Sequence, residues 1–434
     1  MQTNVIAVEA TVEKSDHTVL SWFVTVTASL FFFYTFIQLN IFNAIDKELM
    51  QTFHLNATAL GNLGSIYFYA DALFLLPAGL LLDRFSTKKM LLFLVFITII
   101  GTFLFAIATD YFLAAFARFL IGAAAAFSFL SCIRIASRWF PARKMALVSG
   151  VIVTMAMLGG LVAQTPMALL SSAIGWRQAM LLDAGLGIII FIAILSIVQN
   201  YPPGSQDKMQ ADRAHLKNLG LRQSIQLVVL NPQNWLGGIY TSLMNLPVFL
   251  LGAIWGIHYL TEVHHVTLLE ASYATTIFFV GVILGCPVFG WISDHIGRRV
   301  LPMILGAVIS FAVILYLMYM PDLSLISIMI LFFLIGFVTS SQVLSYPLIA
   351  ELNPPALTST AISIVSITIM MGGVIFQPLF GWIMSLGWDG AMMDGAPIYS
   401  SQNLLLAMWI IPIAFVVGFS MTFLMKETNC EPKK

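Results

Sequence analysis

Gly79-Leu-Leu-Leu-Asp83-Arg84-Phe-Ser-Thr-Lys88-Lys89 separates two long apolar runs, and Gly290-Trp-Ile-Ser-Asp294-His295-Ile-Gly-Arg298-Arg299 separates two others, 211 positions later. A second set of matches recurs at an offset of 213: Arg138 with Glu351, Pro141 with Pro354, Gly159-Gly160 with Gly372-Gly373, and Gln164 with Gln377. Matches this regular in apolar sequence describe two similar halves, each with the same short polar loop after its second apolar segment.

Around these loops the chain is almost uncharged. Of 434 residues, 59 % are hydrophobic and 9 % are Lys, Arg, Asp or Glu, where soluble chains carry about 25 %. Most of the sequence has no face suited to water, so its solvent is lipid. The formal net charge is zero, which gives no electrostatic reason to expect a nucleic-acid partner. Cys132, Cys286 and Cys430 form no C-x-x-C pair and read as free thiols, with no disulfide framework or zinc site. Residues 1–18 are polar and lack the pattern of a cleavable leader.

A helix needs about 20 apolar residues to cross a bilayer. With turn and charge punctuation, that rule predicts twelve spans, near 19–43, 57–82, 90–108, 111–137, 145–170, 177–198, 235–260, 270–293, 300–319, 323–350, 359–385 and 401–425. The runs are long and do not alternate, so they are helices and not barrel strands. The expected fold is an all-α membrane protein of two pseudo-symmetric six-helix bundles, 19–198 and 235–425. A polar linker, 199–234, joins them, and short tails, 1–18 and 426–434, flank them. Placing both termini and the linker in the cytoplasm puts sixteen of the twenty Lys and Arg residues there, as the positive-inside rule requires. A multi-pass protein of a cell (inner or plasma) membrane with both termini inside is therefore expected.

At the two loops the chain resembles the major facilitator superfamily, whose signature is G-x-x-x-D-[RK]-x-G-x-[RK]-[RK]. The first copy departs from it at Ser86 and the second at His295. Arg118-x-x-x-Gly122, Arg138-Trp-Phe-Pro141 and Gly175-Trp176-Arg177 are further points of likeness. A fainter one, to the branch with lysosomal dipeptide transporter-like proteins and amino-acid or organic-acid permeases, rests on Ser65-Ile-Tyr67-Phe-Tyr69-Ala-Asp71 and the Pro77-Ala-Gly79 turn. The resemblance implies a functional monomer that moves a small molecule by alternating access, with a cavity lined by spans 1, 4, 7 and 10. Gly79, Asp83, Arg84, Lys88 and Lys89, with Gly290, Asp294, Arg298, Arg299, Arg138 and Glu351, would then form a gate at the cytoplasmic face. The aspartates also suit capping of a helix in the opposite half. Plain anchoring is the alternative for the basic residues.

Charges inside spans are costly and mark function or mutual pairing. Asp71 lies twelve residues before Asp83 in span 2, and Arg118 seven residues into span 4. Placed at similar depth, they are expected to pair across the cavity. Asp71 would carry a proton or couple substrate, and Arg118 would be its partner or an anion-binding group; the alternative is a static pair fixing span 2 to span 4. Asp183, six residues into span 6, reads as interfacial. The uncharged cavity candidates are Tyr34, Gln38, Asn245, His258, Tyr259, Gln342 and Tyr346, with Gln164 and Gln377 from the repeat. Any one of them serves equally as a helix–helix hydrogen bond. His264, His265, Glu262 and Glu270 fall in an external loop and read as a solvated surface, not a metal site. Asn56 reads as the N-cap of span 2.

No G-x-x-x-x-G-K-[ST] loop is present, so nucleotide hydrolysis does not drive the chain. The expected function is secondary transport of a small organic solute (an amino acid, dipeptide or organic acid), with no cofactor. Proton coupling would run through Asp71. Drug or metabolite efflux is the alternative within the superfamily. A polytopic membrane enzyme would need a larger loop or an acidic or histidine cluster than this chain has.

Overall fold

The structure is a computed structural model of the chain. It describes all residues except 1, 141–144, 204–225, 227, 321, 354–357, 394–395 and 431–434, and only the backbone of 2–18, 76, 80, 83–84, 145–147, 358–360, 393 and 396.

Polar side chains set where the helices start. Asn56 accepts from the Ala59 amide and opens span 2, Ala57–Arg84. Ser86 opens span 3, Thr87–Ile107, and Asp110 opens span 4, Tyr111–Trp139. Thr267 and Glu270 form a reciprocal capping box at span 8, Leu268–Ile296. Each cap satisfies amide groups that the first turn leaves free. Span 1 is the end of the helix Gln2–Asn40, and a separate short helix, Phe42–Phe53, follows it. The others are span 5 (Met145–Val162 and Thr165–Ile174), span 6 (Trp176–Ile197), span 7 (Pro232–Val263), span 9 (Val300–Tyr319), span 10 (Leu325–Leu352), span 11 (Thr358–Leu386) and span 12 (Ser401–Thr422). These twelve helices are the expected architecture, apart from a small antiparallel hairpin, Met392–Met393 with Ala396–Pro397, between spans 11 and 12. It is the one departure from an all-α fold among the described residues.

The helices form two six-helix bundles, and the repeat found in the sequence reappears as repeated contacts. A Cβ on Gly160 in span 5 would come within 2.5 Å of the Phe279 ring in span 8. A Cβ on Gly373 in span 11 would come equally close, 2.5 Å, to Phe68 in span 2. Within the bundles, Gly122 packs on the Tyr67 carbonyl and Gly336 on that of Phe278. Spans 2 and 11, and spans 5 and 8, are therefore the seams between the bundles, and glycine lets the backbones close on bulky partners there.

The bundles are joined at the end away from the basic loops, called here the far end. Lys47 Nζ meets Glu262 Oε1 at 2.8 Å, the Ala57 amide donates to the Tyr399 hydroxyl at 2.8 Å, and the Thr165 and Thr276 hydroxyls lie 2.7 Å apart. At the basic end, a Cβ on Gly79 or Gly290 would meet nothing within 4 Å.

Span 7 explains part of the far-end seam. Its middle, Val248–Trp255, is π-helical, and such a turn disturbs the regular pairing of main-chain groups. Side chains answer them. Gln164 Nε2 donates to the Gly252 carbonyl at 2.9 Å. Its repeat counterpart Gln377 donates to the Phe249 carbonyl at 2.9 Å, and the Ile257 amide donates to Asn43 Oδ1 at 2.9 Å.

Candidate functional site

Among the described residues, the spans of the first bundle bury three side chains of the Asp, Glu, Lys or Arg type: Asp71, Arg118 and Asp183. Arg118 is 1 % exposed. One guanidinium nitrogen donates to the Gln38 carbonyl at 2.6 Å. The guanidinium lies over the rings of Phe42, at 4.3 Å, and Tyr67, at 5.1 Å. Its Nε has no hydrogen-bond partner among the described residues. Cation–π contacts and one carbonyl hold the group in place while using few of its five N–H donors.

Gln38 is the hub. Its side-chain amide donates to Asp183 of span 6, so one residue of span 1 touches both an acid and, through its carbonyl, a base. Asp183 is 4 % exposed: six residues from the helix end, it is covered by span 1. Tyr34, one turn away on span 1, donates to Thr102 at 3.2 Å.

Asp71 and Arg118 do not form the direct pair expected of them. Asp71 is 7 % exposed and has no hydrogen bond or ion pair among the described residues. Register is the reason. Tyr67 packs on Gly122, with Asp71 four residues toward the basic end and Arg118 four residues toward the far end. At 1.5 Å per residue, the two charges lie about 12 Å apart along the helices. Tyr67 stands between them, within electrostatic range of both.

The other cavity candidates separate into groups. Gln342 Nε2 donates to Asn245 Oδ1 at 2.9 Å across spans 10 and 7, and both are half-buried. Half-buried Tyr346 is two residues beyond the 3₁₀ turn Ser340–Leu344. Tyr259 does not face a central space: its hydroxyl bonds the Leu317 carbonyl at 3.4 Å and His264 at 3.2 Å. Gln164 and Gln377 serve the π-helical segment described above. His258 lies at the far-end seam beside Asp46, with Nδ1 2.9 Å from Oδ2. Asp46 had no place among the sequence candidates, nor had Asn43, which links Gln164, at 2.7 Å, to the Ile257 amide.

At the basic end of the second bundle, Arg299 bonds Asp294 at 2.6 Å and Glu351 at 2.8 Å. Glu427 of the C-terminal tail accepts from the Arg299 and Val300 amides at 2.8 and 2.9 Å, capping span 9. Asp294 is 68 % exposed, and the partner it has is in its own bundle. Arg298 is exposed. In the first bundle, Lys88 bonds the Leu195 carbonyl at 2.8 Å, Arg138 bonds Thr87 at 3.1 Å and lies over Tyr201, and Lys89 is exposed. The Asp83 and Arg84 side chains lie outside the described residues. No group of three or more His, Cys, Asp or Glu is arranged to hold a metal among the described residues.

The sequence profile of the Major Facilitator Superfamily matches residues 26–256 and again residues 237–424. The chain belongs to that superfamily. Its major facilitator fold is also that of a solved bacterial homologue of the human lysosomal transporter Spinster in an inward-facing, unoccupied conformation. The TM-score is 0.77 at 16 % identity, over 93 % of this chain and 96 % of the other. Among relatives, the chain is 23 % identical over 395 residues to the probable galactarate/D-glucarate transporter GudP of Escherichia coli K12, covering 83 % of this chain and 86 % of that one. It is 22 % identical over 363 residues to a D-galactonate transporter of Escherichia coli O6:H1, covering 78 % and 83 %. This major facilitator protein is therefore a membrane transporter of a small molecule and not an enzyme.

Proposed function

We propose that this chain carries a small organic-acid anion into the cell by proton-coupled alternating access, as a monomer in the inner or plasma membrane with both termini cytoplasmic. The observation that carries the reading is Arg118: a buried guanidinium with, among the described residues, one main-chain hydrogen bond, no carboxylate in contact and Nε without a partner. A guanidinium is always charged, and its fork matches a carboxylate in two-point contact. A lone charge at mid-membrane costs about 2.5–3.5 kcal/mol even on the gentler insertion scale, so the group needs a purpose. The relatives named as transporters of galactarate, D-glucarate and D-galactonate supply the same chemistry. With the basic end in the cytoplasm, the seam closed at the far end makes this the inward-facing form. The bundles at 19–198 and 235–425 rock about the site, and the Asp83, Asp294, Arg299 and Glu351 motifs hold the cytoplasmic face when it closes.

Among the described residues, the spans of the first bundle hold two buried carboxylates, Asp71 and Asp183, against one arginine. Asp183 has Gln38 as a donor, whereas Asp71 has none. Asp71 is thus the group for which neutralisation by a proton removes the greatest burial cost.

Purified protein in liposomes, given radiolabelled sugar acids, amino acids and dipeptides under an inward proton gradient, tests the reading. Accumulation of a sugar acid is expected, with Asp71→Asn losing uphill accumulation but keeping exchange. Accumulation of only amino acids or dipeptides overturns the substrate class. Undiminished uphill uptake by Asp71→Asn overturns its role.

A further inference from the structure

Lys47 faces both the opposite bundle and the water at the far end. Among the described Lys and Arg residues, only Lys47 and Arg177 lie at this end. Arg177 is engaged within its own bundle: it donates to the Ala106 carbonyl at 2.8 Å and lies over the Trp176 ring. Lys47 instead reaches from the short helix across the seam to Glu262 of span 7, at 2.8 Å, with 39 % and 32 % of the two side chains exposed. The pair stands in a cleft of about 490 Å³, lined by Lys47, Glu48 and Gln51 of the first bundle and by Thr261, Glu262 and Val266 of the second. That volume suits a small organic molecule. We propose that this cleft is the external docking site of the transported acid: its carboxylate takes Lys47 from Glu262, and the exchange of partners unlocks the seam from outside.

The argument is one of exchange. A half-exposed ion pair contributes little, so one carboxylate replaces another on Lys47 at small cost. The effect on the seam is larger, because Glu262 stays with the second bundle: Ser401 Oγ, at the start of span 12, donates to its main-chain carbonyl at 2.7 Å. An acid held by Lys47 places a negative charge, carried by the first bundle, beside the Glu262 carboxylate of the second. Like charges at such range repel, so a contact that joined the far end becomes one that parts it. A neutral solute cannot replace Glu262, and a cation has no place on Lys47. Gln51 and Thr261 supply polar groups for the hydroxyls of a polyhydroxy acid.

The short helix also connects this cleft to the site inside the first bundle. The Phe42 ring at its start lies 4.3 Å from the Arg118 guanidinium, and Lys47 follows five residues later on the same helix. Two cations thus meet the anion in sequence, one at the mouth and one within. The other charged groups near the cleft are few. Glu48 opposes an anion there, and burial raises its carboxyl. His258 and His265 lie within electrostatic range of Glu262 and remain beside it when Lys47 changes partner. Asp46 is 1 % exposed and lies in the seam, 2.9 Å from His258.

The inference rests on the organic-acid reading for its ligand, but not on the roles of Arg118 and Asp71. It is tested with spin labels at Thr109→Cys and Gln402→Cys, far-end positions on the two bundles, with the native cysteines replaced. Distances are measured by pulsed electron paramagnetic resonance at fixed pH and ionic strength while D-glucarate or D-galactonate is titrated in, with neutral galactitol as the control. At least one acid should raise the parted fraction, and galactitol should not. The half-maximal concentration should rise about tenfold or more in Lys47→Gln, stay near wild type in Lys47→Arg and fall in Glu48→Gln. Arg118→Lys should keep the response. A wild type unmoved by both acids, a Lys47→Gln titration equal to wild type, or an equal response to galactitol overturns the docking site. Loss of the response in Arg118→Lys assigns it to the inner site and also overturns the proposal. If liposomes accumulate these acids while the distances stay still, the organic-acid reading survives and the docking site does not, so the two failures are distinguishable.

Discussion

Replacing Asn43 with alanine removes the acceptor of one main-chain group across the far-end seam, together with Asn43's own bond to Gln164 inside the first bundle. The Ile257 amide follows the π-helical turn and donates to Asn43 Oδ1 at 2.9 Å, and Ile257 is fully buried. In Asn43→Ala that amide has no acceptor while the bundles are joined, but it meets water once they part. An unsatisfied buried donor costs about 1–3 kcal/mol, and tenfold corresponds to about 1.4 kcal/mol, so the joined form should lose about 5- to 140-fold against the parted form. Spin labels at Thr109→Cys and Gln402→Cys, exposed positions on the two bundles at the far end, with the three native cysteines replaced, read this directly by pulsed electron paramagnetic resonance as growth of the longer distance. Tyr240→Phe is the control, because its hydroxyl donates to the Met303 carbonyl at 2.8 Å within the second bundle and its loss should leave the distribution in place. The reasoning is refuted if Asn43→Ala keeps the wild-type distribution, or if Tyr240→Phe shifts it as far.

Three other outcomes follow from the packing and the gate. Gly160→Ala and Gly373→Ala each drive a Cβ to 2.5 Å from a phenylalanine ring; each should weaken the joined state by about 1–3 kcal/mol on the same label pair, and trimming Phe279 or Phe68 to leucine should restore it. Asp83→Asn should lower transport while leaving the protein folded, and an unchanged rate with unchanged protease accessibility removes Asp83 from the gate. Burial alone would raise the Glu427 carboxyl, but main-chain N–H groups led by Arg299 and Val300 outweigh it and hold the group below its usual range. The tail's attachment is therefore in force above the free carboxylate's range and lost as pH falls through the lower, held value. A spin label on Cys430 should be immobile at neutral pH in wild type and mobile in Glu427→Gln.

The architecture was legible because its signals are redundant. Twelve apolar runs, a basic bias on one side and a two-offset repeat all describe the same two bundles, and Gly160 on Phe279 and Gly373 on Phe68 carry the repeat into contact. The site was less legible because it depends on register. Counting inward from helix ends set Asp71 and Arg118 at one depth, but the packing of Tyr67 on Gly122 fixes them on opposite sides of that contact. Asp46 was passed over because the stretch after residue 43 read as an external loop, and Asn43 because it read as the last residue of span 1, whereas both belong to a short helix under the seam. A polar pair at Asn43 and Asp46, three residues apart beside an apolar run, was the available signal. Gln164 and Gln377 were found by the repeat, yet their role depends on a π-helical turn that no feature of Val248–Trp255 announced.

The central claim is that Arg118 receives the carboxylate of a transported organic acid. It is tested most directly by counterflow of radiolabelled D-glucarate and D-galactonate in liposomes containing wild type or Arg118→Lys, with thermal unfolding measured in parallel. Lysine keeps the charge but loses the two-point geometry. The account predicts rapid exchange of at least one of these acids by wild type, and exchange at the level of empty liposomes for Arg118→Lys with an unchanged melting temperature. Exchange by Arg118→Lys at the wild-type rate would contradict it.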